Sequence, residues 1–145
     1  MTVQSRMEET LATRWEQAGA KLTQLAAELP PARWNAAPTS GARSWAEVLR
    51  HVAFWNLYLA ATLRGEKAAD SDNELSASEY STKEAILDVL GKSFESVSAA
   101  WRQRSSQDAQ AVESMLAFLE HNAEHYGQLV VYARLAGIVP PVSRG

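Results

Sequence analysis

Between two helical patterns lies GEKAADSDNELSASEY, residues 65–80. It is polar and acidic, and longer than the roughly 2–8 residues that usually join antiparallel neighbours in a bundle. A connection of this length can run from one end of a bundle to the other, which leaves the helices on either side of it parallel. The pattern before it opens on a capping box, Ser44-Trp45-Ala46-Glu47. In such a box the serine and glutamate side chains satisfy each other's orphan backbone N–H groups. That helix continues to about Arg64 through Val48, Trp55, Tyr58, Leu59 and Leu63, and Gly65 suits the position just past its end. After the connection, a second capping box is expected at Ser81-Thr82-Lys83-Glu84. It opens a helix that reaches about Arg104 through Ile86, Leu90, Phe94, Val97 and Trp101.

Two further helices flank this pair. The first is expected from Val3 to Leu29, with Met7, Leu11, Trp15, Ala18, Leu22 and Leu25 three or four apart. Pro30-Pro31 stops it, since proline lacks the N–H and clashes with the preceding turn. A polar break, SSQD at 105–108, leads into the last helix, from Asp108 to Ala136. Gly137 ends it and Pro140-Pro141 forbids its resumption. Alternating strand patterns are absent. The fold class is therefore all-α, a four-helix bundle formed as one domain over residues 1–145. The long connection makes up-down-down-up topology a serious competitor of the simpler up-down-up-down order.

Composition removes several functions. Apolar residues make up 46% of the 145, ordinary for a globular chain. The net charge of -3 and the pI near 5.6 provide no basic field for phosphate backbones, so nucleic acid is not an expected partner. No apolar run approaches the roughly 18 residues of a membrane span. The N-terminus has no apolar signal-peptide core. With no cysteine, the chain has no disulfide, thiolate nucleophile or thiolate metal ligand, which fits a cytoplasmic protein. Glycine-rich phosphate loops and a G-x-S-x-G elbow are missing as well.

HNAEHYGQ, residues 121–128, carries two of the three histidines. Residues four apart lie about 40° apart around a helix, so His121 and His125 point the same way. Taken alone, the pair is either a metal-ligand spacing or two polar neighbours. Their face is otherwise mostly apolar, with Phe118, Leu129, Tyr132 and Ala136, and solvent belongs on the side of Glu113, Glu120 and Glu124. Polar groups within an inward stripe need partners or a ligand. His51 shares a face with Val48, Trp55 and Tyr58 and also looks inward. It stands roughly 10 Å into its helix, and His125 roughly 16 Å back from the end of the last one. Antiparallel packing of these two helices brings the histidines to similar levels. Three neutral imidazoles then make an N₃ site with open positions. Such a site suits Zn²⁺ or Ni²⁺, and Fe²⁺ or Mn²⁺ with added oxygen ligands. Glu47 reads first as a capping-box member and second as a base. Tyr58, Gln128 and Tyr132 read either as groups orienting a bound water or substrate or as core filler. The zincin motif H-E-x-x-H is absent, because Asn122 stands where its glutamate belongs.

SWAEVLRHVAFWNLYLAATLRG and HNAEHYGQLVVYARLAGIVPPVSRG together resemble the DinB/YfiT-like superfamily of bacterial four-helix proteins. The H-x-x-x-H-x-G-Q pattern followed by Y-x-R-x-x-G-I-V-P-P is the specific part. The resemblance implies an up-down-down-up bundle, a divalent metal held by His51, His121 and His125 (nickel or zinc), and a homodimer. It implies no single reaction and fixes no catalytic or substrate-binding residue. Some relatives are metal-dependent transferases or isomerases that use bacillithiol, mycothiol or glutathione.

Two classes of function follow. In the first, a bound metal activates a low-molecular-weight thiol, supplying the sulfur nucleophile that this chain lacks, for attack on a small electrophile; a metal-dependent hydrolase is a variant of this class. Arg64, Arg134 or Arg144 can hold a carboxylate of such a thiol, or serve as helix-end charges. In the second, the metal is structural or sensory in a non-catalytic, dimeric interaction module. An open coordination position marks the first class and a fourth protein ligand the second.

Overall fold

The computed structural model describes residues 1–105 and 108–145. Four helices account for nearly all its regular structure: α1 (Val3–Ala26), α2 (Trp45–Leu63), α3 (Lys83–Gln103) and α4 (Ala109–Leu135). Among the described residues there is no strand. Of the expected SSQD break, Ser106 and Gln107 lie outside the described residues.

Local chemistry sets each boundary. Thr2 and Asp108 cap α1 and α4 by accepting backbone N–H bonds from the first turn. The Ser44 box is complete: Glu47 N–H donates to Ser44 Oγ (3.2 Å), and Ser44 N–H to Glu47 Oε2 (2.6 Å). Glu47 is thus the capping residue its position indicated. The second box is not formed as expected. Thr82 is the N-cap, its hydroxyl accepting from Ala85 N–H at 3.1 Å, so Ser81 lies outside the helix and Glu84 falls one position short of closing a box. α1 also ends earlier than its apolar spacing indicates. Its cap is Ala27, and Leu29 reaches the core from the following turn. Gly65 and Gly137 adopt positive φ (75° and 79°) just past α2 and α4, the left-handed turn that glycine permits.

Packing closes the four helices in the order α1, α3, α2, α4. Trp15 Nε1–H donates to Phe94 O and Trp101 Nε1–H to Glu8 O, so α1 and α3 run antiparallel. The two come so close that a Cβ on Gly19 would sit 2.8 Å from the Phe94 ring. Trp55 meets Phe118, and Tyr132 meets Arg43, so α2 and α4 are antiparallel too. Near its start α2 holds the Tyr80 carbonyl ahead of α3, and deeper in the bundle Asn56 meets Ser93, so α2 and α3 are parallel. The topology is up-down-down-up, and segment 65–80 makes the long return. Trp15, Leu22, Leu49, Leu59, Leu90, Met115 and Leu129 fill the core. Met7, placed on the inner stripe of α1 by its spacing, is 54% exposed and lines a surface groove with Val112 and Leu116 of α4.

Candidate metal centre

His51 lies on the second turn of α2, buried, and its Nε2 is 3.0 Å from Nε2 of His121. The His125 ring lies edge-on to both, with centroids 4.7 Å from His51 and 4.5 Å from His121. One donor atom from each ring falls within 4.8 Å of the others, so the group could hold a metal ion. Two nitrogens bound to one ion at 2.0–2.1 Å and at 90–110° stand about 2.9–3.4 Å apart, a range that includes the Nε2–Nε2 separation. The three imidazoles that the sequence singled out are thus brought together.

Hydrogen bonds decide which nitrogen of each ring is free. His51 Nδ1 is 2.7 Å from the Asn73 carbonyl, which only accepts; Nδ1 therefore carries the proton and Nε2 the lone pair. His125 Nδ1 faces Gln128 Oε1 at 2.8 Å. Gln128 Nε2–H donates to Tyr132 Oη at 3.0 Å, and Tyr132 O–H donates to Arg43 O at 2.8 Å. This relay sets the orientation of the Gln128 amide, so His125 Nδ1 is also the protonated nitrogen and Nε2 is free. Between the two Nε2 atoms of His51 and His121, His121 must then donate, and its buried Nδ1 has no protein partner. For His121 to offer Nε2 as a ligand, its proton would have to reside on Nδ1, the other tautomer of the neutral ring.

The electrostatics favour the neutral form of His51 and His121. Burial lowers the pKa of His51; the Asn73 carbonyl acts in the opposite sense, and the charges of Arg43 and His125 add to the lowering. His121 is brought down to about 4, by burial first and then by His125, His51 and Arg43. Neutral imidazole is the ligand form.

On its open side the cluster floors a cleft of about 410 Å³, walled by Trp55, Asn73, Ala117 and Phe118. Among the described residues no fourth His, Cys, Asp or Glu joins the three rings. Other expected residues fall elsewhere. Gln128 and Tyr132 stand behind His125 and hold its ring, rather than reaching into the cleft. Tyr58 packs against Trp55 and Phe118. Arg64 is paired with Glu66, and Arg144 with Glu28. Arg134 lies exposed in the last turn of α4.

Two residues of the site were missed in the sequence. Arg43, half-buried just before the α2 cap, makes no ion pair among the described residues and lies within electrostatic reach of two of the rings. Asn73 is the sole described non-glycine residue with positive φ (59°), a conformation asparagine tolerates. Its carbonyl meets His51, and its Oδ1 accepts from Trp55 Nε1–H at 2.8 Å. The polarity of segment 65–80 marked a crossover, and nothing in it marked a contact with the site.

The profile of the DinB superfamily matches residues 14–129, most of the chain and all three histidines. The chain belongs to the DinB superfamily. No curated protein and no solved structure gives a significant match. Membership agrees with the four-helix architecture, and no helix among the described residues is long and apolar enough to cross a membrane.

Proposed function

We propose that the protein holds one divalent ion through His51, His121 and His125 and uses it to activate a low-molecular-weight thiol for transfer to, or isomerisation of, a small electrophile. The observation that carries this reading is the open geometry: three imidazole donors at the floor of a solvent-facing cleft, with no fourth protein ligand among the described residues. A structural site is normally closed by a fourth ligand, and a catalytic one keeps a free position. An all-nitrogen set suits nickel or zinc; iron or manganese needs added oxygen ligands.

When bound, such an ion supplies a Lewis acid that lowers the pKa of a thiol and holds it as thiolate. In transfer, the thiol proton leaves to solvent and the sulfur lone pair forms the carbon–sulfur bond. The leaving group departs with the electrons of its own bond. His51 and His125 keep their Nε2 lone pairs on the site because Asn73 and Gln128 hold their Nδ1 protons. Arg43 lies outside the cleft lining but within electrostatic reach of His51 and His121, and is the cation proposed to attract a carboxylate of the thiol; Arg64 and Arg144 are engaged with Glu66 and Glu28. The reading places the protein in the cytoplasm, where small thiols stay reduced. It also includes a homodimer through the outer side of α4, where Leu116, Val131 and Leu135 are exposed.

Metal content and thiol binding, measured on purified protein loaded with nickel or zinc and offered glutathione or bacillithiol, test this reading. One ion per chain is expected, with thiol binding that requires the ion, both lost in His125→Ala. Full metal and thiol binding by His125→Ala contradicts it. Metal binding without thiol binding leaves the non-catalytic module, and ester turnover by the loaded protein points to the hydrolase.

A further inference from the structure

The rings beside the histidine cluster form a continuous path away from it. Phe118 stands 6.1 Å from His121, and Trp55 6.3 Å from Phe118. Tyr58 is 5.1 Å from Trp55 and nearly parallel to Phe118 at 26°. Four of the five tryptophans are buried to 3% exposure or less, each with its N–H on a backbone carbonyl. Trp55 differs: it is half-buried, it lines the cleft, and its N–H is committed to the Asn73 side chain. That bond fixes the indole and leaves its carbon face and edge for contact. Apart from the three imidazoles, the wall has no titratable or charged side chain; its polar group is Asn73, already bonded to Trp55. A rigid aromatic wall beside a metal-binding floor favours a ligand with a polar, metal-seeking head and a flat apolar body. Stacked and edge-on ring contacts reward such a body, and little ordering cost remains in the fixed wall.

We propose that the wall of Trp55 and Phe118 is a subsite for an aryl or similarly planar apolar group, carried by the molecule whose head occupies the open position of the histidine cluster. The subsite rests on the metal reading above and narrows its ligand to aromatic or conjugated compounds.

The test uses the full chain loaded with Co²⁺ and two probes that share one chelating head, acetohydroxamate and benzohydroxamate. Visible absorption of the cobalt reports metal binding and the affinity of each probe. Benzohydroxamate is expected to bind at least about tenfold more tightly, the effect of covering one ring. In Phe118→Ala and in Trp55→Ala the ratio falls to near unity while acetohydroxamate binds as before. If a variant fails to take up cobalt, the wild-type ratio still decides, together with benzohydroxamate-specific quenching of tryptophan fluorescence that is lost in Trp55→Phe. A cobalt spectrum that is absent, or unchanged by His125→Ala, overturns the metal reading and the subsite with it. A His125-dependent spectrum with equal probe affinities, or a preference that survives both wall variants, overturns the subsite alone.

Discussion

Two imidazoles of the cluster, those of His51 and His125, are specified by the atom behind them as much as by the open space in front. Gln128 Oε1 accepts a hydrogen bond from His125 Nδ1–H, and Tyr132 holds the amide that offers that oxygen. Outer partners of this kind commonly change metal affinity about 10–100-fold. Gln128→Leu is therefore expected to weaken metal binding by that order in a chelator competition, while the far-ultraviolet spectrum stays helical. Affinity equal to wild type would show that the relay does not orient the ring. The same burial gives the metal-free protein a pH dependence. His51 and His121 have folded pKa values below the ordinary 6.5, His121 at about 4. Between those values and about 6.5 the unfolded chain binds more protons than the folded one, so stability rises with pH there and falls as pH drops. Denaturant midpoints of chelator-treated protein should be lower at about pH 5 than at about pH 7. A midpoint that does not fall would contradict neutral, buried rings. Gln128 and Tyr132 also mark a limit of sequence reading. Helical spacing puts them on the face of His125, but only coordinates separate a residue behind the ring from one in front of it.

Segment 65–80 acts as an element of the site although it forms no helix. Arg50 on α2 binds Glu74 (3.0 Å) and the Tyr80 carbonyl (3.2 Å), which ties the segment along the same helix that carries His51. Asn73 immediately precedes the first of these anchors, with its backbone turned to positive φ. The role assigned to its carbonyl separates two substitutions. Asn73→Gly keeps the conformation and the carbonyl and loses only the Trp55 bond, so metal affinity should stay within a few-fold of wild type. Asn73→Val opposes positive φ, since β-branched residues rarely adopt it, and should lower metal affinity by roughly tenfold or more. Equal affinities in the two variants would remove the segment from the site. The length of this segment was legible and gave the parallel pairing of α2 and α3. Its contact with His51 was not, because a backbone carbonyl has no sequence signature. Helix ends show a similar limit. Ser81 and Thr82 are both competent caps, and only the turn geometry selects Thr82.

At the scale of the molecule, the up-down-down-up order is what lets residues 70 positions apart share a site. It sets α2 and α4 antiparallel, so that a histidine early in one helix and a pair near the middle of the other reach one level. That meeting could be inferred from helix lengths, the long connection and inward-facing stripes, all of which are one-dimensional properties of the chain. The aromatic wall and Arg43 could not, since their place depends on rotation of the helices and on the path of a loop. Anomalous diffraction at the metal edge from crystals of the nickel- or zinc-loaded protein tests the central claim most directly. Ligation by the three histidines predicts one peak per chain, about 2.0–2.2 Å from a ring nitrogen of each of His51, His121 and His125, with the remaining coordination facing the Trp55–Phe118 cleft. A peak that leaves any of the three rings out of reach, or none at the cluster, would contradict it.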